Sequence, residues 1–199
     1  MQHSVEMLAS RFELTLIGPR GCGNSVPENV TVIECPATPF LFLLMSVLKG
    51  RRAVGISSFD IVLGGSGFVA PVTSFLSKVA RARSAIFVHG LDLVVDNLAY
   101  QKLFLPFLRR HDLVIANSQN TRKIAMAKGC AASKIQVLNP GAVIPPDTLS
   151  RDAASLRTKF GLENIGVVLF VGRLIRRKGL SEFLEHAWTR IIASEPNAR

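Results

Sequence analysis

The amino-acid sequence predicts an α/β fold built on a doubly wound parallel sheet, followed by the first β-α unit of a second domain of the same kind. Two observations carry this expectation. Apolar runs of strand length alternate with stripes of apolar residues at helical spacing, and parallel neighbours joined by helical crossovers are the arrangement such alternation demands. Hydrophobic residues also reach 48% against 19% charged, with a mean hydropathy of +0.32, as expected where strands are covered on both faces. A chain of 199 residues is long enough to bury a real core, which excludes disorder.

In order, Val5, Leu8, Ala9 and Phe12 recur at helical spacing, so Met1 to Arg11 reads as an amphipathic helix; Leu14 to Ile17 follows as a strand closed by Gly18-Pro19. Val30 to Ile33 is a second strand. Phe40 to Leu48 reads as a buried core helix ending at Lys49-Gly50-Arg51-Arg52, with an anionic membrane surface as the alternative partner of the same segment. Ile61–Leu63 is a strand, Val72 to Ala80 a helix, Ala85–Val88 a strand and Leu98 to Leu108 a helix. Leu113–Ala116 is a strand, Thr121–Lys128 a short helix with Ser118 before it as N-cap, and Ile135–Leu138 a strand. The stretch from Asn139 to Asp152, rich in proline and small residues, reads as a linker. The domains expected are therefore 1–146 and 147–199. In the second, Val167–Val171 is an apolar strand, Gly172–Gly179 a basic loop, and Leu180, Phe183, Leu184, Ala187, Trp188 and Ile191 a helix stripe.

Lys and Arg number 24 against 14 Asp and Glu, a net charge of +10. That attracts nucleotide phosphates, acidic membranes or nucleic acid. The basic pairs are scattered and not interleaved with aromatic residues, so nucleic acid is not expected. Cys22, Cys35 and Cys130 are odd in number and widely spaced. They form no metal pair or redox couple, so no metal is expected and a reducing cytoplasm is. The apolar stretch from Pro39 to Leu48 is about half of the ~20 residues of a spanning helix. Phosphate loops of the G-x-x-x-x-G-K-[ST] type and H-E-x-x-H are absent.

Ligands of doubly wound sheets sit beyond the carboxyl ends of the strands. The residues there are His89-Gly90, Asn117-Ser118, Asn139-Pro140-Gly141, and Gly172-Arg173 with Lys178-Gly179. In the last group, Gly172 admits a ligand to the backbone, Arg173 forks onto phosphate oxygens and Lys178 adds a point charge. The following helix start adds oriented N–H groups. From chemistry alone, a diphosphate cradle and a solvated basic loop stand side by side.

Val171-Gly172-Arg173-Leu174 with Lys178-Gly179 resembles the V-G-R-L-x-x-x-K-G segment of glycosyltransferase family 4. Upstream, Phe59–Val62, Ile86–Gly90, Val114–Ser118 and Ile135–Gly141 occur in that family's order and spacing, so the resemblance covers nearly the whole chain. It implies a GT-B fold and a retaining hexosyltransferase that needs no cofactor and takes a UDP- or GDP-sugar as donor. It also implies that Arg173 and Lys178, with Gly172 and Gly179, hold the donor diphosphate. Arg173 and Lys178 would stabilise the charge that develops as the sugar leaves. His89 lines the cleft near the sugar as the catalytic candidate, and Asn139 and Gly141 line the cleft. The acceptor expected is a lipid-linked or polysaccharide glycan, and the location expected is the cytoplasm, with peripheral contact at the inner face of the membrane.

The family pattern begins with a strand and a glycine-rich loop before the first helix of this sequence, and later carries a glutamate pair, E-x-x-x-x-x-x-x-E. Glu182 and Glu185 are not that pair. The resemblance therefore implies a fragment, a gene truncated at both ends or a degenerate homologue, with little or no turnover by itself. Two rivals remain. Gly65-Ser66-Gly67-Phe68-Val69-Ala70 fits the G-x-G-x-x-A of a nicotinamide-dependent oxidoreductase, but Ala85–Leu91 lacks the acidic residue that would hold the ribose. The other is a non-catalytic basic module that binds nucleotide or an anionic membrane.

Overall fold

In the computed structural model, which describes residues 2–141 and 149–199, helix α1 (Gln2–Ala9) leads into β1 (Leu14–Pro19), which pairs in parallel with β2 (Val30–Cys35). A separate parallel sheet holds β3 (Ile61–Gly64), β4 (Arg83–Val88), β5 (Leu113–Ala116) and β6 (Ile135–Val137), in that order across the sheet. All of these strands were expected. The difference is that they form two sheets among the described residues, where one was expected.

Helix α2 (Pro39–Ile56) starts with proline in its first turn, where the missing N–H costs nothing. It does not stop at Lys49–Arg52. Gly50 is no cap there: it sits where the side chains of Ile17 and Leu76 press closest, and a Cβ on it would lie 2.6 Å from Leu76 and 3.1 Å from Ile17. The helix runs on to Ile56, with Ser57 as its C-cap. α2 packs on β1 and β2 and against α3 (Ala70–Ala80), which covers β3 and β4. The expectation of a buried core helix holds for one face only. Ser46 and Gly50 are buried, whereas Phe40, Leu41, Leu44 and Leu48 are exposed.

The predicted helix over 98–108 splits. α4 (Leu98–Leu103) ends and a 3-10 segment, Leu105–Arg110, follows, because Pro106 lacks the N–H that an α-helix would use there. α5 spans Gln119–Ala127, and the side-chain oxygen of Ser118 accepts the N–H of Thr121 at 3.1 Å, the N-cap expected. The core of the four-stranded part gathers Ile86 and Val88 of β4, Val114 and Ala116 of β5, Leu93, Leu105, Leu108 and Ala125. Fully burying each large aliphatic side chain contributes about 1.5–3 kcal/mol.

The chain divides into two compact units, Met1–Gly141 and Ala142–Arg199. The centre of the expected linker and the expected 146/147 boundary lie outside the described residues. α6 (Leu149–Lys159) occupies the end of that linker and was not anticipated. Val167–Val171 does not form the predicted strand: it has no regular secondary structure, with Leu169 79% and Val171 83% exposed. No strand pairs with it among the described residues, and a lone strand leaves its backbone groups to water. Two ladder-like bonds join this part of the chain to the last residue: Val168 donates to the Arg199 carbonyl (2.8 Å) and Arg199 to that of Gly166 (2.9 Å). The predicted helix does form, as α7 (Leu180–Phe183), a π turn (Leu184–Trp188) and α8 (Thr189–Ser194) in succession.

Candidate functional site

Strand register decides which residues meet at the carboxyl edge of the four-stranded sheet. Val88 of β4 is level with Ala116 of β5, and Ala116 with Val137 of β6. The residues just beyond, His89, Asn117 and Leu138, therefore form a row, with Asn139 one position further. The row is stitched by backbone bonds from Asn117 N–H to Val88 (3.3 Å) and from Leu138 N–H to Ala116 (2.9 Å). β3 ends at Gly64, level with Ile86, so Gly65 begins the loop beside β4. At ~4.8 Å per strand, His89 and Leu138 lie about 10 Å apart across this edge.

His89 is exposed, and its ring stacks on Phe87 with centroids 6.5 Å apart. Its Nε2 lies 3.0 Å from the Gly65 carbonyl. A carbonyl only accepts, so Nε2 carries the hydrogen, and Nδ1 is left as an acceptor in the neutral ring.

Asp92, which sequence reasoning missed, holds this arrangement. One carboxylate oxygen accepts the backbone N–H of His89 (2.9 Å) and the other accepts that of Gly67 (2.8 Å), so the loops after β4 and β3 are tied through one side chain. Tyr100 closes the back of the clamp. Its hydroxyl is buried with no hydrogen-bond partner among the described residues, and burial, with the Asp92 charge adding, pushes its pKa up to about 12. Gly90 has φ +83°, and a Cβ there would meet the Thr121 hydroxyl at 3.0 Å, so both backbone and space require glycine. That hydroxyl donates to the Asn117 side chain (2.6 Å) and lies 3.0 Å from that of Ser118. No local pattern announces Asp92, because Gly67 is 25 residues away.

Arg173 and Lys178 belong to the second unit and are exposed. The loop that carries them is built from tight turns: Ile175 N–H bonds to the Arg173 carbonyl (2.9 Å), and Lys178 N–H to that of Ile175 (2.9 Å). Gly179, at φ +71°, turns the chain from the 3-10 segment Arg176–Lys178 into α7. Nearby, Arg176 reaches Glu182 at 4.0 Å, an exposed pair of little energetic weight. Gly172 precedes this loop, and Asn139 and Gly141 are exposed at the end of the first unit. The structure thus gathers His89, Gly65, Gly67, Asn117 and the Leu138–Asn139 step along one edge. Gly172, Arg173, Lys178 and Gly179 gather separately in one loop of the other unit. Among the described residues, no group of His, Cys, Asp and Glu side chains could hold a metal ion. No helix there is long and apolar enough to cross a membrane.

Similar folds occur in HepE of Anabaena in complex with UDP and glucose (TM-score 0.61, 18% identity, over 88% of this chain and 47% of that one). They also occur in the lipopolysaccharide outer core galactosyltransferase WaaB in its apo form (0.50, 16%, 86% and 52%). A third is the putative UDP-N-acetylglucosamine 2-epimerase from Listeria monocytogenes (0.58, 13%, 98% and 55%). At these identities the likeness is one of fold, which a galactosyltransferase and a putative epimerase share. The chain spans about half the length of each. A comparison with curated proteins finds no match. The family model for Glycosyltransferase Family 4 matches residues 2–143, which covers β1 to β6 and the whole His89 edge: the chain has a GT-B-type α/β fold and belongs to Glycosyltransferase Family 4.

Proposed function

We propose that the chain carries part of a nucleotide-sugar-dependent glycosyltransferase that moves a hexose, with retention, from a UDP- or GDP-sugar to a lipid-linked or polysaccharide acceptor. In this reading residues 1–146 form the acceptor side and 147–199 the start of the donor side. Arg173 and Lys178, helped by close backbone approach at Gly172 and Gly179, bind the donor diphosphate and neutralise the charge left on it as the sugar departs. Neutralisation is thus assigned to side chains, with no cofactor in the scheme. His89 faces the transferred sugar, and Asn139 and Gly141 line the same cleft. Peripheral contact with an anionic membrane belongs to the reading, because a lipid-linked acceptor is presented there.

The observation that carries the proposal is the family match over residues 2–143, together with His89 at the carboxyl edge of the sheet, its backbone held by Asp92. Calorimetric titration of the chain with UDP, GDP and NAD tests it. UDP or GDP is expected to bind. Removing one charge, by Arg173→Ala or Lys178→Ala, is expected to weaken binding about 10–100-fold, the worth of a charge-assisted hydrogen bond. Unchanged affinity in both variants would reject the assignment, and binding of NAD alone would favour the oxidoreductase.

A further inference from the structure

Helix α2 has one packed face and one open face. The inner one rests on β1, β2 and α3. The outer one carries Phe40 (75% exposed), Leu41 (42%), Leu44 (42%) and Leu48 (53%), followed in the same helix by Arg51 and Arg52, both exposed. At 100° per residue these six side chains fall within an arc of about 120°. The arc is apolar for its first turns and basic afterwards. The segment PFLFLLMSVLKGRRAVGI contains no acidic residue, and the whole chain carries a net charge of +10. Lys49 is tied differently, donating to the Glu34 carbonyl at 2.6 Å.

Four large exposed apolar side chains on one helical arc cost solvation free energy unless something covers them. The cover must be apolar and anionic together, and must accept a helix lying flat. The surface of a bilayer containing anionic lipid meets all three conditions: side chains from a flat helix enter the acyl boundary, while arginines on the same arc reach lipid phosphates. We infer that the outer face of α2, comprising Phe40, Leu41, Leu44, Leu48, Arg51 and Arg52, is a docking surface for an anionic lipid bilayer. This deepens the membrane contact of the proposed function by naming the residues that make it, and it does not require the donor-site assignment.

Co-sedimentation of the chain with phosphatidylcholine vesicles, with and without phosphatidylglycerol, tests the inference. The wild type is expected to pellet with the anionic vesicles and much less with the neutral ones, and to release as salt rises. Arg51→Ala and Arg52→Ala should each lower vesicle affinity about fivefold. Leu44→Ser/Leu48→Ser should lower it at least tenfold, at positions where exposure leaves folding intact, as circular dichroism will verify. A Phe40→Trp variant in a Trp188→Phe background reports insertion directly, by blue-shifted emission and quenching by brominated lipid. Failure of the wild type to pellet, or undiminished binding by the leucine variant, overturns the inference. So does concentration-dependent dimerisation abolished by the leucine variant without vesicle binding, which would give the face to a second copy. UDP titration of the same proteins keeps the two proposals apart: nucleotide binding without vesicle binding sinks only this one, and the reverse sinks only the donor site.

Discussion

Asp92 accepts the backbone N–H of His89 at 2.9 Å, and its second oxygen holds Gly67 at 2.8 Å. Asp92→Asn keeps the shape but turns one acceptor into a donor that faces another N–H. The variant should lose about 1–3 kcal/mol of stability, the cost of an unsatisfied donor pair. Amide exchange should accelerate selectively at His89 and Gly67, measured by NMR. Unchanged protection at both amides would show that the clamp does not restrain the loops.

Gly90 is constrained twice, by φ +83° and by the Thr121 hydroxyl 3.0 Å from a Cβ position. Gly90→Ala should cost about 1–3 kcal/mol in urea unfolding, the usual range for backbone held in a sparsely populated region. The double variant Gly90→Ala/Thr121→Ala separates the two constraints. If it recovers little beyond what Thr121→Ala alone predicts, the backbone dominates, and full recovery would assign the cost to the contact.

His111 is fully buried, its Nδ1 lies 2.9 Å from the Phe107 carbonyl, and its Nε2 has no partner among the described residues. Burial lowers its pKa, outweighing the backbone bonds that favour the charged ring. The unfolded chain therefore takes up a proton near the ordinary histidine value of about 6.5, where the folded chain does not. The contribution of His111 is full above that pH and falls as pH drops toward the lowered value. Urea unfolding midpoints should decline below about pH 6.5, and His111→Asn, which can still donate to Phe107, should flatten that decline.

Asp112 adds a second acid-side loss. It accepts both the N–H (2.8 Å) and the hydroxyl (2.9 Å) of Ser84, and these bonds lower its pKa. Its contribution is present above the ordinary carboxylate range and disappears as pH falls through the lowered value. Ser84→Ala deletes the hydroxyl but keeps the N–H bond, so it should shrink this loss below about pH 4 without abolishing it, and leave the histidine step in place.

Arg81 ends α3 in the left-handed conformation, φ +53°. Its N–H bonds to the Lys78 carbonyl, and Ala82 bonds back to Ser77. Glycine suits that position better. Arg81→Gly should raise stability by up to about 1 kcal/mol, the left-handed strain relieved less the added chain entropy. A lowered melting temperature would show that the arginine side chain contributes more than its backbone costs.

Periodicity made most of the first unit legible. Strand-length apolar runs located β1 to β6, helical spacing located α2, α3 and α5, and Ser118 announced its own cap, because each of these signals acts within a turn or a few residues. The family segments Ile86–Gly90 and Val114–Ser118 marked the carboxyl edge for the same reason. What lay beyond local reach depended on partners distant in the chain. Asp92 meets Gly67 only because register brings the ends of β3 and β4 together. Val167–Val171 has strand character, but among the described residues no strand pairs with it, so it stays irregular and exposed. The apolar residues of α2 are equally hydrophobic on both faces, and only the packing of β1, β2 and α3 against one face determined which of them stayed in water.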